Sequence, residues 1–253
     1  MQKPGKERID VLLVTRGLAA SRERAQAILL AGQVRVNGRP VTKAGTRVAD
    51  DARLEIAGHS NPYASRGGLK LAGALEDFNV SPRGKICLDV GSSTGGFTDC
   101  LLQHGASKVY AVDVNVDQLD WKLRKDARVA TIKRNARYLQ PEDIGEKATL
   151  VVMDVSFISA AKVLPAIVPI AAAGADFLVL VKPQFELEKT EVGKGGIVRE
   201  ASLHQKAVER VTAAAESESL ETLGAKPSRL PGAEGNQEFF LHARPRTATA
   251  STT

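Results

Sequence analysis

Apolar and polar positions along residues 80–181 follow the pattern of an α/β protein. Short apolar runs, each typical of a buried strand, alternate with segments whose apolar residues recur at helical spacing. The predicted strands are 86–90, 108–113, 128–133, 150–154 and 177–181. Strands that alternate with helices in this way predict a doubly wound sheet with mainly parallel strands. Two later segments, 220–230 and 238–243, are predicted to add a closing hairpin.

Helices are predicted between and after these strands. They cover 69–78, 98–104, 116–124 and 202–216. Residues 163–181 are almost free of charge, but two prolines, Gly174 and Asp176 argue against a membrane-spanning helix. We expect a buried helix that ends at Gly174, followed by the strand 177–181.

The first residues of the chain predict a small separate module. Helices are expected over 8–16 and 21–31, with Ser21 as the N-cap of the second. The dipeptide Asn37-Gly38 is a strong hairpin signal. Short strands are predicted at 34–36, around Val41, at 47–48 and at 54–56.

Composition shifts along the chain predict where its domains begin and end. A first domain is expected over 1–58 and a second over 67–244, joined by a linker at 59–66 that contains Pro62. The charged, glycine-rich stretch 186–200 is predicted to be a mobile loop. The Thr-, Ala- and Ser-rich tail 245–253 is expected to be disordered.

Charge is distributed unevenly between these two domains. The chain of 253 residues has a net charge of +6, and residues 1–66 hold twelve Lys and Arg against six Asp and Glu, so the remainder is neutral. A basic module of this kind suits docking on phosphate. The N-terminus lacks the apolar core of a signal peptide, and Cys87 and Cys100 lack metal-ligand spacing. We therefore expect a cytoplasmic protein without a metal site.

A glycine-rich turn follows the first strand of the predicted sheet. Residues 89–97 are Asp-Val-Gly-Ser-Ser-Thr-Gly-Gly-Phe, and the helix after them turns its N-terminal amides towards any ligand bound there. Asp113 ends the next strand, 22 residues after Gly91, where a carboxylate can bind a ribose. The turn lacks the G-x-G-x-x-G and G-K-[ST] patterns and is similar to the S-adenosylmethionine loop of class I methyltransferases. An ordinary tight turn is the alternative.

Two polar residues end two other predicted strands. Asp154 is the last residue of the predicted strand 150–154. Lys182 directly follows the strand 177–181, and Pro183 after it stops that strand. Because the carboxyl ends of parallel strands share one edge of a sheet, we expect these two side chains to meet. A lysine whose neutral form is favoured can take a proton from an attacking hydroxyl. The alternatives are a helix N-cap for Asp154 and an exposed strand end for Lys182.

The N-terminal module resembles an S4-like RNA-binding domain. The resemblance is carried by residues 21–26, Ser-Arg-Glu-Arg-Ala-Gln, and by residues 32–38, Gly-Gln-Val-Arg-Val-Asn-Gly. It implies that basic side chains here contact RNA rather than forming only a solvated helix face. The candidate RNA contacts, including one residue beyond the module, are Arg8, Arg22, Arg24, Gln26, Arg35, Lys43 and Arg66.

The rest of the chain resembles FtsJ-like ribose 2′-O-methyltransferases. Lys70, Asp154, Lys182 and Glu238 match the Lys-Asp-Lys-Glu tetrad of that family in order and context. The motifs S-R-G-G-x-K, D-V-S-F-I-S, V-K-P-Q-F-E and G-K-G-G-I-V-R, together with the S4-like module, are similar to the TlyA family over residues 6–243. The resemblance implies an α/β fold of the class I S-adenosylmethionine-dependent type, with a seven-stranded doubly wound sheet and a small α+β domain before it.

The same resemblance implies an activity and its residues. The reaction is methylation of cytidine 2′-hydroxyls in ribosomal RNA of the small subunit and, in many members, of the large subunit too. Lys182 is implied as the general base, positioned with the help of Asp154 and Lys70, and Glu238 completes the network. The implied cofactor is S-adenosylmethionine, and the residues implied to line its site are Asp89, Gly91, Ser92, Ser93, Gly95, Gly96, Phe97, Asp113, Asn135 and Asp154.

Two alternatives from other functional classes remain open. Members of the TlyA family have also been called hemolysins, which would make this a membrane-active protein, although no segment has the length and composition to span a bilayer. A non-catalytic RNA-binding protein is the second alternative. The expected partner is ribosomal RNA or a ribosomal subunit, the expected oligomeric state is a monomer, and no membrane contact is expected.

Overall fold

A computed structural model describes residues 5–19, 21–56, 61–232 and 235–246, and for Lys194 it describes the backbone alone. The chain forms two compact units, Met1–Ser60 and Asn61–Thr253. Among the described residues, no helix has the length and apolar composition needed to cross a bilayer.

The first unit is a small α+β fold. Its helices are α1 (Ile9–Thr15) and α2 (Arg22–Leu30). Its strands are β1 (Lys6–Arg8), β2 (Val34–Val36), β3 (Arg39–Pro40), β4 (Arg47–Ala49) and β5 (Leu54–Ile56). Strand β2 lies between β3 and β5, and β1 pairs separately with β4. Ser21 caps α2 as predicted, since its side chain accepts a hydrogen bond of 3.2 Å from the amide of Arg24.

The second unit contains a seven-stranded mixed sheet, which confirms the predicted fold class. Its strands are β6 (Ile86–Val90), β7 (Lys108–Asp113), β8 (Val129–Lys133), β9 (Ala148–Met153), β10 (Ala171–Val181), β11 (Leu220–Pro227) and β12 (Phe239–Pro245). Their order across the sheet is β11-β12-β10-β9-β6-β7-β8. The five strands β6 to β10 run parallel, whereas β11 and β12 are antiparallel, as the predicted hairpin requires.

Helices cover both faces of this sheet. They are α3 (Arg66–Asp77), α4 (Gly96–Gln103), α5 (Trp121–Lys125), α6 (Leu164–Ile167), α7 (Pro183–Glu186) and α8 (Ala201–Ser217). Apolar residues of α3, α4 and α5 pack on one face, and those of α6 and α8 pack on the other. Successive strand residues alternate between the two cores, as Cys87 and Leu88 do.

The buried helix predicted to run from Val163 to Gly174 is wrong. Helix α6 lasts four residues between two 3₁₀ turns, and β10 begins at Ala171. Pro165 and Pro169 cannot donate helical hydrogen bonds, so the helix cannot propagate through them. Gly174 has φ +76° and lies where the pairing of β10 with β9 shifts register, so it interrupts a strand instead of ending a helix.

The predicted helix 116–124 is divided into two pieces. Residues Val116–Gln118 form a 3₁₀ turn, and α5 begins afresh at Trp121. The break occurs because the side chain of Asp120 accepts a hydrogen bond of 2.8 Å from the amide of Lys122 and so caps a new helix.

Helix α3 begins earlier than predicted, at Arg66 instead of Leu69, so the expected linker cannot extend to residue 66. Ser65 caps it by accepting a hydrogen bond from the amide of Gly67. The glycines belong inside the helix because it packs closely against its surroundings: a Cβ on Gly68 would collide with the Tyr63 ring. Residues 59 and 60 of the expected linker lie outside the described part of the chain.

Two segments that were expected to be flexible have defined contacts in the structure. The stretch 186–200, expected to be a mobile loop, is anchored by Asn236, whose side chain accepts from the amide of Val198 and donates to the carbonyl of Gly196, both at 2.9 Å. The expected tail begins too early, because Pro245 belongs to β12 and pairs with Leu220. Residues 247–253 lie outside the described part of the chain.

Candidate active site

The structure brings together Lys182 and Asp154, the polar residues that follow two neighbouring strands. Strands β9 and β10 are parallel and in register, so their carboxyl ends lie side by side. The Nζ atom of Lys182 is 2.6 Å from Oδ1 of Asp154 and donates a hydrogen bond of 2.8 Å to the Ser156 hydroxyl. Only 10% of the lysine side chain and 22% of the aspartate side chain are exposed. The lysine is therefore held by two partners at the edge of the sheet.

The other two members of the tetrad form a second ion pair. Lys70, on α3, has its Nζ atom 2.6 Å from Oε2 of Glu238, which lies just before β12. Glu238 is 2% exposed. Gly232 packs against it so closely that a Cβ there would collide with the carboxylate. A buried carboxylate thus fixes Lys70 in place.

Both ion pairs flank one cavity of about 240 Å³, which we call the acceptor cavity. Lys70 reaches it from α3 and Asp154 reaches it from the end of β9. Arg66, one of the candidate RNA contacts, also lines it. The complete lining is Ser65, Arg66, Gly67, Lys70, Gly91, Ser92, Ser93, Gly96, Phe97, Asp154, Pro231 and Gly232.

A larger cavity of about 610 Å³, which we call the cofactor cavity, adjoins the first. Gly91, Ser93 and Asp154 line both cavities, so the two share a wall. The complete lining is Gly91, Ser93, Val112, Asp113, Val114, Gln118, Arg134, Asn135, Ala136, Asp154, Val155, Ser156, Phe157 and Ile158. The carboxyl end of a doubly wound sheet is where such proteins bind nucleosides.

Asp113 is preorganised at the rim of the cofactor cavity. Its Oδ2 accepts from the amide of Ser93, and its Oδ1 accepts from the amide of Asn115, both at 2.9 Å. These bonds hold the carboxylate at the end of β7 while leaving further lone pairs able to accept from a ribose.

The glycines of the turn have different roles. Gly91 has φ +88°, and a Cβ there would collide with the carbonyl of Asp154, so the turn can pass close to the end of β9 only with glycine. Gly95, predicted to line the cofactor site, lines neither cavity. A Cβ on Gly95 would instead collide with Leu123 and Leu119, which shows that this glycine serves helix packing.

Asp89 also lies outside the lining of both cavities. It is fully buried beneath the turn, where Oδ2 accepts a hydrogen bond of 2.6 Å from the Thr98 hydroxyl. Burial raises its pKa to about 7, an effect that the Thr98 bond only partly offsets. Its Oδ1 and the buried Ser92 hydroxyl have no hydrogen-bond partner among the described residues. Unsatisfied polar atoms below a glycine turn fit a site that a polar ligand completes.

A second connection between the ends of β9 and β10 was not predicted from the sequence. Glu186, at the end of α7, accepts a hydrogen bond of 2.5 Å from the Ser159 hydroxyl and one of 2.7 Å from the amide of Ala160. Burial raises the pKa of this carboxyl. Ser159 and Ala160 lie in the motif that follows β9, and Glu186 lies in the motif that follows β10. Because both motifs come directly after paired strand ends, a contact between them could have been predicted from the sequence.

The candidate RNA contacts of the first unit fall into two groups with different surroundings. Arg24, Arg35 and Lys43 are exposed. Arg8, Arg22 and Gln26 instead converge on the carboxylate of Asp10, a residue that the sequence reasoning had not singled out.

Comparisons with known proteins match both units. The pattern that defines FtsJ-like methyltransferases matches residues 63–245, and the S4 domain pattern matches residues 7–54. A curated relative from Mycobacterium tuberculosis, 16S/23S rRNA (cytidine-2′-O)-methyltransferase TlyA, is 48% identical over 245 residues, which cover 96% of this chain and 91% of that protein.

Solved structures extend the comparison. A candidate hemolysin from Streptococcus thermophilus is 43% identical, with a TM-score of 0.76 over 99% of this chain and 93% of that one. The N-methyltransferase NodS from Bradyrhizobium japonicum, solved with S-adenosyl-L-homocysteine, is 13% identical, with a TM-score of 0.51 over 72% of this chain and 86% of that one, and shows the fold alone.

Proposed function

The chain belongs to the FtsJ-like methyltransferase family, within the TlyA group of ribosomal RNA methyltransferases, and from that membership we propose that it methylates the 2′-hydroxyl of cytidine in ribosomal RNA. The observation that carries the proposal is the Lys182–Asp154 ion pair of 2.6 Å, at the wall shared by the acceptor and cofactor cavities. Asp154 lines both cavities, and Lys182, which lines neither, would accept the proton through its position beside Asp154 at that wall.

The cofactor that fits this site is S-adenosylmethionine. Its sulfonium supplies a methyl group with an excellent leaving group, so no metal is required. Asp113 would bind the ribose of the cofactor, and the backbone of Gly91 and Ser93 would approach its amino-acid part, with Asn135 lining the nucleoside end. The unpartnered hydroxyl of Ser92, which lines the adjoining acceptor cavity, would gain a partner from a molecule bound there.

Lys182 acts as the general base in this proposal. Its amine, once deprotonated, would take the proton of the ribose 2′-hydroxyl, and S-adenosylmethionine would supply the methyl group. Asp154 and Ser156 orient the amine. Positioning of the ribose hydroxyl against the bound cofactor would supply most of the rate acceleration.

The S4 domain supplies RNA affinity. Arg8, Arg22, Arg24, Arg35 and Lys43 form the basic surface that neutralises backbone phosphates, with Gln26 as a polar contact. Arg66, at the acceptor cavity, would guide the substrate strand towards Lys70. The enzyme is expected to act as a monomer on ribosomal RNA or ribosomal subunits in the cytoplasm.

The proposal is tested by transfer of labelled methyl from S-adenosylmethionine to purified ribosomal subunits and, separately, to naked ribosomal RNA. Reverse transcription at low nucleotide concentration then locates the modified ribose. A stop next to a cytidine, with label resistant to alkali at that position, supports the proposal. Transfer to a base, to a different nucleotide, or to no RNA while the cofactor binds would refute it.

A further inference from the structure

Asp10 is a fully buried carboxylate on the surface helix α1 of the S4 domain. Its Oδ1 accepts from Nε of Arg8 at 2.9 Å, and its Oδ2 accepts from Nη2 of Arg8 at 2.9 Å. The same Oδ2 also accepts from Nη2 of Arg22 at 3.1 Å and from the amide nitrogen of the Gln26 side chain at 3.3 Å. One carboxylate thus gathers three of the candidate RNA contacts.

These partners come from strand β1 and helix α2. Arg8 directly precedes α1, whereas Arg22 begins α2 and Gln26 follows it one turn later. The paired hydrogen bonds from Arg8 are the main reason that the pKa of Asp10 lies well below its usual range. Asp10 therefore carries its negative charge at any pH at which the domain would meet RNA.

The cluster leaves both guanidinium groups accessible. The side chains of Arg8 and Arg22 are 43% and 54% exposed, although Asp10 itself is not exposed. A guanidinium has five N–H donors, and Asp10 takes two from Arg8 and one from Arg22. Because both groups bind the same oxygen, their Nη2 atoms lie within two hydrogen-bond lengths of each other. The three charges sum to +1, which matches a single phosphodiester.

We propose that Asp10 is a positioning residue that fixes Arg8 and Arg22 as a preassembled clamp for one phosphate of the RNA backbone. This inference rests on the proposed function, since it requires an RNA substrate. Arginine side chains lose considerable rotamer freedom when they bind a phosphate. A carboxylate that holds two of them in advance removes that cost from the binding step.

The proposal predicts that loss of the Asp10 charge weakens RNA binding, whereas electrostatic attraction alone predicts that it strengthens RNA binding. Removing a negative charge from a basic domain should strengthen its attraction to RNA. If Asp10 organises the clamp, Asp10→Asn weakens RNA binding instead, by about threefold to tenfold, the loss expected when one or two long side chains must be ordered on binding. Asp51→Asn is the matched control, because it removes an exposed acidic charge from the same unit and should leave binding unchanged or slightly tighter.

The experiment measures binding of the full chain to naked ribosomal RNA across a range of salt concentrations, for the wild type, Asp10→Asn and Asp51→Asn. The same Asp10→Asn change is made in an Arg8→Gln/Arg22→Gln background. If Asp10 acts through the arginines, it has no further effect there. If Asp10→Asn melts below the assay temperature, Arg22→Lys is measured in its place. Lysine keeps the positive charge but lacks the forked N–H donors of a guanidinium, so the same weakening of RNA binding is expected.

Three results would overturn the proposal. The first is Asp10→Asn binding as tightly as the wild type or more tightly. The second is an equal loss in the background without the two arginines, which would mark Asp10 as a structural link between α1 and α2. The third is undiminished binding by Arg22→Lys. A wild type that neither binds nor methylates ribosomal RNA overturns the proposed function itself, and methyl transfer by the wild type separates that failure from failure of the Asp10 proposal alone.

Discussion

The amine of Lys182 lies 2.6 Å from Oδ1 of Asp154, across the ends of two neighbouring parallel strands. Ser156 adds a second, neutral partner at 2.8 Å. If Lys182 is the proton acceptor, as proposed, these two partners hold its amine, and the charged partner should matter more than the neutral one.

Asp154→Ala is expected to lower the rate of methyl transfer by at least about a hundredfold, whereas Ser156→Ala lowers it by about fivefold. The aspartate is a partly buried charged partner that also lines both cavities, and the serine contributes one hydrogen bond. Single-turnover rates at saturating cofactor measure both effects. Equal losses in the two variants would show that the charge of Asp154 has no special role.

Asp113→Ala is expected to weaken S-adenosylmethionine binding by about ten- to a hundredfold, because a charged acceptor for the ribose hydroxyls is lost. Titration calorimetry measures the effect directly. Asp117→Ala is the matched control, since Asp117 is an exposed acid a few residues further on and lines neither cavity. Similar S-adenosylmethionine affinity in both variants would contradict the assignment of Asp113 to the cofactor site.

Asp89 is expected to make the stability of the cofactor-free protein depend on pH. Its pKa of about 7 in the folded state exceeds the value of 3.8 expected for an unperturbed carboxyl. Between these values the folded state keeps a proton that the unfolded state has released, so the free energy of unfolding falls as the pH rises from about 4 to about 7. Above that window the penalty is complete.

Asp89→Asn removes this titration. We expect the variant to melt at a higher temperature than the wild type at pH 8, with a smaller difference at pH 4, when both are scanned without cofactor. Asparagine can still accept the Thr98 hydrogen bond, so the change isolates the charge. An identical pH dependence in the two proteins would contradict the assignment of the raised pKa to Asp89.

Removing residues 1–58 is expected to leave S-adenosylmethionine binding almost intact and to abolish methylation of RNA. The residues that line the cofactor cavity all belong to the second unit, whereas the first unit carries the excess positive charge. Calorimetry and methyl transfer on the truncated and complete chains make the comparison. Full methyl-transfer activity without the first domain would contradict the proposal that this domain is needed for RNA binding.

Much of the site could be predicted because strand ends are visible in a sequence. A short apolar run that stops at a polar residue places that residue at the edge of a parallel sheet, and this was sufficient for Asp113, Asp154 and Lys182. The Lys70–Glu238 pair joins residues 168 positions apart and was reached through family resemblance alone. No local pattern relates α3 to the segment before β12.

The errors in the predicted elements have physical causes that patterns in a single sequence do not reveal. The alanine-rich start of β10 has no strand preference of its own and joins the sheet because β9 lies beside it. Gly95 was expected to line the cofactor site, yet its surroundings show close packing against Leu119 and Leu123. Asp10 was overlooked because one acid among many arginines gives no signal until the two helices are packed together.

The overall charge balance of the second unit also concealed a local feature. Residues 121–137 contain seven Lys and Arg and a single acid, although the unit as a whole has a net charge of only +1. Averaging over a whole domain therefore understated how basic one edge of the sheet is, near β8.

The measurement that tests the central claim most directly is methyl transfer to ribosomal RNA by Lys182→Ala, made alongside calorimetry of S-adenosylmethionine binding by the same protein. If Lys182 is the general base, the variant binds the cofactor with wild-type affinity and RNA as before, yet the cytidine stop in reverse transcription disappears and the rate falls by at least about a hundredfold. A variant that still methylates the same cytidine at close to the wild-type rate would contradict the claim and assign the proton to another group.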